Sequence, residues 1–221
     1  MTTEARPLRI PAAGDYFDAD IAGADRARGV VLFGHGGGRS RPGPDHELVT
    51  DLLHRRGHCT ISVDLLTPDE KDLDPAAQRL RCDLGPLAGR LVAVVDWLTR
   101  DEAVARLPIG LFGSGLGAAA AMYAAAVRPL SVRAVVSRGG RPDLAEPFLA
   151  RVRAPSLLLV GDHDRLAVRL NEQAALAMKE IRRVILIRNA GPAFEGPGAA
   201  ESVARLTASW FDRHLTGRAV S

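Results

Sequence analysis

The sequence predicts an α/β protein: a mostly parallel, twisted sheet with helices on both faces. Short apolar runs of strand character alternate with amphipathic segments at helical spacing along most of the 221 residues. Several runs, Gly29 to Phe33 first among them, are apolar at consecutive positions, as strands buried on both faces are. With 47% hydrophobic and 25% charged residues and a mean hydropathy of +0.01, the chain reads as one compact domain with a sizeable core.

Taken in order, the extended start from Pro7 to Ile21 predicts antiparallel edge strands. Gly29-Val30-Val31-Leu32-Phe33 is a strand that runs into His35-Gly36-Gly37-Gly38. Asp45 to Arg56 places Leu48, Val49, Leu52 and Leu53 at helical spacing, and Gly57, tolerant of left-handed dihedrals, stops that helix. Cys59 to Leu66 is the next strand, and in the helix from Leu84 to Thr99 one face is Leu87, Leu91, Val94, Val95 and Leu98. Ile109 to Phe112 enters Gly113-Ser114-Gly115-Leu116-Gly117 and then an Ala-rich helix to about Ala126. Strands follow at Val132 to Val136, Pro155 to Val160 (with a helix from Asn171) and Val184 to Ile187. A final amphipathic helix carries Val203, Leu206, Trp210, Phe211 and Leu215. In such a sheet, ligands bind beyond the carboxyl ends of the strands, so the loops after each strand are the ones to search.

Composition excludes several functions. No apolar stretch approaches the roughly 20 residues of a membrane span, and the first residues lack the basic-then-apolar pattern of a secretory signal, so a cytoplasmic location is expected. The pI near 9.3 comes from 29 basic and 26 acidic residues, with lysine only at Lys71 and Lys179. The arginines are scattered along the sequence and aromatics are 5%, so neither a phosphate-tracking stripe nor a stacking platform for nucleic acid is expected. Cys59 and Cys82 lack metal-ligand spacing and read as reduced thiols. No metal or cofactor is expected; the expected partner is a small molecule in the strand-end cleft or another protein, and a homo-oligomer is open.

Four strand-end loops carry chemistry. In His35-Gly36-Gly37-Gly38, the side chains missing at the glycines let backbone N–H groups approach a ligand and face developing negative charge, although a tight strand-to-helix turn needs the same glycines. Gly113 to Gly117 has the outline of a nucleophile elbow, G-x-x-x-G between a strand and a small-residue helix. The residue at its centre is Gly115, so the nucleophile position has no side chain. Ser114 lies one place early, and centring the frame on it would put Phe112 and Leu116 where close approach demands Gly or Ala. The third loop, Gly161-Asp162-His163-Asp164, and the fourth, Asn189 to Glu195, complete the set.

The chain resembles the dienelactone-hydrolase-like α/β-hydrolases, especially a small branch often joined to phosphoribosyltransferase domains. The resemblance covers nearly the whole chain. It rests on residues 29–36, Asp64-Leu65-Leu66-Thr67-Pro68, residues 109–113, Val136-Ser137-Arg138-Gly139-Gly140-Arg141-Pro142-Asp143-Leu144, and Phe194-Glu195-Gly196-Pro197-Gly198. It implies an α/β-hydrolase fold with little room for a lid, a nucleophilic Ser at the position of Gly115, a triad acid at Asp164, and a triad His at the position of Pro192. Asp164 is retained; in an ordinary structural role it would supply charge at a helix N-terminus or a loop hydrogen bond. Proline accepts no proton, so general base and nucleophile are both missing. His163, beside Asp164, is an alternative base. Arg138 and Arg141 can offer charge to a carboxylate or form surface ion pairs.

Three readings follow. One is a hydrolase fold without hydrolase activity that binds a small carbonyl or carboxylate compound or a partner. Another is a non-hydrolytic catalyst that stabilises an enolate or oxyanion on the backbone donors of Gly36, Gly37 and Leu116, with Asp164 or water moving protons. The last is a weak esterase or lactonase using Ser114.

Overall fold

The computed structural model describes residues 4–35, 44–67, 70 and 83–215. Its strands are β1 (Arg6–Ala12), β2 (Asp15–Ala22), β3 (Val30–His35), β4 (Cys59–Asp64), β5 (Ile109–Gly115), β6 (Val132–Gly140), β7 (Ser156–Gly161) and β8 (Arg182–Ile187). They form one sheet in the order β1-β2-β4-β3-β5-β6-β7-β8. β1 and β2 form an antiparallel hairpin, β2 is antiparallel to β4, and every pairing from β4 to β8 is parallel. The helices are α1 (Pro44–Arg55), α2 (Leu84–Leu98), α3 (Leu116–Val127), a short α4 (Glu146–Leu149), α5 (Arg165–Ala177) and α6 (Ala199–Leu215).

The consecutive apolar residues of the strands serve two cores. Val30 and Leu32 of β3 face the core shared with Leu87, Leu91 and Val94 of α2 and the alanines of α3. Val31 and Phe33 face the other, with Val49 and Leu53 of α1 and Val203, Phe211 and Leu215 of α6. Side chains alternate across a strand, so only a strand apolar at every position can face two helical layers.

Two elements differ from expectation. The helix expected from Asn171 begins at Arg165, because the Asp164 side chain accepts the backbone N–H of Ala167 and starts it six residues earlier. β6 continues four residues past Val136, because Ser137 to Gly140 keep pairing with the end of β5.

By sequence His58, like His46, His54 and His214, reads as a surface or helix residue; it is instead fully buried just before β4. Its Nε2 lies 3.0 Å from Asp212 Oδ1, and that carboxylate also takes the guanidinium groups of Arg28 and Arg56. Desolvation lowers the His58 pKa below its ordinary value, with Asp212 opposing and Arg28 and Arg56 assisting. The folded state therefore favours neutral His58, while the unfolded chain takes up a proton as pH falls through about 6.5. Stability should fall below that pH, with a contribution from His58 of at most about 1.4 kcal/mol per pH unit. Denaturant titrations of His58→Gln between pH 7.5 and 5 should show a shallower decline than the parent; an unchanged slope would refute the assignment.

Candidate functional site

β3, β5, β6, β7 and β8 run parallel, so their carboxyl ends share one pole and the loops beyond them meet there. β5 passes into α3 without an intervening residue: Gly115 ends the strand and Leu116, half-buried, begins the helix. So sharp a reversal forces Gly115 to φ 52 and ψ −125. An L side chain there carries strain of order 1–3 kcal/mol. Among the described residues there is nonetheless room for one, since a Cβ added at Gly115 would meet none of them within 4 Å.

Gly113 and Gly117 are small for another reason. A Cβ on Gly113 would lie 2.4 Å from the Gly117 carbonyl oxygen, and one on Gly117 would lie 2.9 Å from that of Gly34. The ends of β3, β5 and α3 thus touch through backbone. Gly115 sits midway between these two sterically required glycines, while Ser114 is exposed at the end of β5.

The end of β6 supports the turn. Gly115 pairs with Gly140, and the Arg141 N–H donates to the Gly115 carbonyl at 2.9 Å. The Gly140 carbonyl accepts from Nδ2 of Asn171, a fully buried residue on α5, at 3.0 Å. A Cβ on Gly139 would lie 2.9 Å from the Phe194 ring and 3.6 Å from the Pro192 carbonyl oxygen, so the loop after β8 abuts the strand beside the turn. Pro192 itself is exposed.

Both candidate arginines are engaged by the protein. Arg138 Nη2 donates to the Ala193 carbonyl at 3.0 Å, and its guanidinium lies 4.3 Å from the centre of the buried Phe194 ring, fastening the loop that holds Pro192. Arg141 makes a two-pronged pair with Asp143 at 2.9 and 2.8 Å, which raises its pKa.

Asp164 caps α5, with Oδ1 accepting the Ala167 N–H at 3.0 Å. Its neighbour Asp162, passed over in the sequence, does the lacing: Oδ1 accepts the Ala190 N–H at 3.1 Å, while the His163 N–H donates to the Ala190 carbonyl at 3.0 Å. Desolvation pushes the Asp162 carboxyl up, but the N–H groups of Ala190 and Asn189 and the nearby His163 outweigh it and hold the pKa below the usual carboxylate value. His163 has an exposed ring 3.7 Å from Asp162. The two loops bearing Asp164 and Pro192 are therefore tied together. A second acid in Gly161-Asp162-His163-Asp164 was the available signal for Asp162; Asn171 had none, reading as an ordinary helix residue.

His35 ends β3 opposite Asp64 of β4. Gly36, Gly37 and Cys82 lie outside the described residues. Cys59 is buried, and burial pushes its thiol up to about 12. Among the described residues no cluster of His, Cys, Asp or Glu suits a metal ion, and no helix is long and apolar enough to cross a membrane.

No family model matches the chain. It is similar to the crystal structure of a dienelactone hydrolase from Anabaena variabilis, with 40% identity, a TM-score of 0.92, and coverage of 97% of this chain and 100% of that one. Est1E from Butyrivibrio proteoclasticus shares the fold, with a TM-score of 0.76, 15% identity, and coverage of 93% of this chain and 97% of that one. Two curated proteins from strains of Mycobacterium tuberculosis, each named "Putative phosphoribosyl transferase", are 40% identical over 211 residues, which is 94% of this chain and 45% of each relative. The chain thus spans about half the length of those relatives. From the sheet order, the abrupt β5-to-α3 turn and a 40% identical relative matched over its entire length, the chain belongs to the dienelactone-hydrolase-like family of α/β-hydrolases.

Proposed function

We propose that this protein does not hydrolyse esters through a serine nucleophile and instead holds a small carbonyl- or carboxylate-bearing molecule, or a protein partner, at the carboxyl ends of its strands. The observation that carries this reading is the turn between β5 and α3, where Gly115 holds a positive-φ backbone that an L residue would adopt only under strain, has no described atom within 4 Å of where a side chain would start, and brings no hydroxyl. Pro192 adds to it, since an imide ring can neither take the nucleophile's proton nor return it to a leaving group. Removal of any member of a Ser-His-Asp unit leaves about 10³ to 10⁴-fold catalysis over water, too little for an efficient esterase. The relative named a dienelactone hydrolase lends a ligand class: a lactone or its ring-opened carboxylate. Because Arg138 and Arg141 are committed to the Phe194 loop and to Asp143, backbone donors such as the N–H of Leu116 would carry most of the contact with the ligand's oxygen.

The parent protein should neither turn over activated p-nitrophenyl esters above background nor be labelled by a serine-directed fluorophosphonate. Stoichiometric labelling would overturn the proposal. A second reading rests on the exposure of Ser114, which leaves its hydroxyl open to a substrate. If ester turnover is measured and Ser114→Ala abolishes it, that reading replaces the first.

A further inference from the structure

The pole opposite the candidate site, where the parallel strands begin, holds a groove that the proposed function does not use. It has a volume of about 690 Å³ and is lined by Arg106, Arg133, Arg213, Thr99, Ser131 and His214 among others. The three arginines come from the approach to β5, the start of β6 and the last turn of α6, so distant stretches of sequence converge on it. All three are exposed, none forms an ion pair with a described residue, and no described Asp or Glu lines the groove. Asp212, adjacent to Arg213, is turned instead to Arg28, Arg56 and His58. The buried Nε2 of His214 likewise has no hydrogen-bond partner among the described residues. A neighbouring cavity of about 460 Å³ adds Arg151, Arg153 and Lys179 against the single acid Glu180.

Three arginines line one concavity with no described acid among them, so the local field is positive and draws anions. The charge count selects the anion, because a lone carboxylate neutralises one guanidinium whereas a diphosphate meets all three. The volume suits a small molecule. A stacking surface for nucleic acid is absent from the lining, which contains no Phe, Tyr or Trp. We propose that this groove binds a small molecule carrying two or more phosphate charges, at a site separate from the turn at Gly115.

Inorganic pyrophosphate is the probe, titrated into the full chain by calorimetry at low salt, with citrate and a short DNA duplex as comparison ligands. Saturable one-to-one binding is expected, weakened about tenfold or more in the R106Q/R133Q/R213Q protein, since each exposed charge contact is worth about threefold and three are lost. R169Q, an exposed change on α5, and G115S should bind like the parent, which separates this site from the proposed function. If the triple variant fails to fold, R133Q alone decides, with an expected weakening of about threefold. Absence of saturable binding at millimolar pyrophosphate, binding indifferent to the arginines, or tighter binding of citrate would each overturn the proposal. Tighter, arginine-dependent binding of the duplex would overturn it in favour of nucleic acid.

Discussion

Gly115→Ser combined with Pro192→His is expected to turn the protein into an esterase, raising turnover of an activated ester by about 10³-fold or more over the parent. Among the described residues there is room for the hydroxyl, because a Cβ at Gly115 meets none of them within 4 Å. The loop bearing Pro192 already abuts the strand beside the turn and is fastened there by Arg138. Asp164 has Oδ1 on the Ala167 N–H, while Oδ2 takes no hydrogen bond from the described residues, so one oxygen is available to an introduced imidazole. Neither single change should exceed a few-fold, because nucleophile and base act as a unit. Serine at φ 52 should also cost stability, of order 1–3 kcal/mol. A double variant that folds but hydrolyses no faster than the parent would show that the frame centred on Gly115 is wrong, and Asp164→Asn in the active double variant should remove most of the gain.

The second large effect is on stability and separates the glycines of the turn. Gly113→Ala drives a methyl to 2.4 Å from the Gly117 carbonyl oxygen and 2.7 Å from the Ala118 Cα, so the whole start of α3 must retreat from β5. Backbone cannot rotate aside as a side chain can, and the expected loss is about 3 kcal/mol. For a chain of this size that lowers the melting temperature by about 6–12 °C. Gly115→Ala meets no described atom and carries only the dihedral cost, of order 1–3 kcal/mol, whereas Gly113→Ala also displaces backbone. Thermal melts of the two proteins should therefore rank Gly113→Ala as the more damaging. The reverse order would mean that Gly113 is not the residue that admits the helix.

Much of this was legible in the residues. Val30 to Phe33, apolar at every position, announced a strand between two layers, and the spacing of Gly113, Gly115 and Gly117 before an alanine-rich helix announced a close strand-to-helix passage. Such signals are local: periodicity and small side chains act over a few residues, and the backbone responds where they stand. The start of α5 was misread because a single capping oxygen, on Asp164, outranks the apolar spacing further along. His58 was misread because its burial depends on Asp212, 154 residues away.

The sequence by itself determined the fold class and the family resemblance, and it leaves Gly115 with no side chain and Pro192 with no titratable group. Only the tertiary structure decided that Asp162 laces the two loops while Asp164 caps a helix, and that Arg138 is spent on Phe194. It also decided that arginines scattered along the chain gather at the opposite pole. The physical reason is that hydrogen bonds act over about 3 Å and charges over about 10 Å of space, whatever the separation along the chain. Their partners are set by the packing of the whole sheet, which no local pattern encodes.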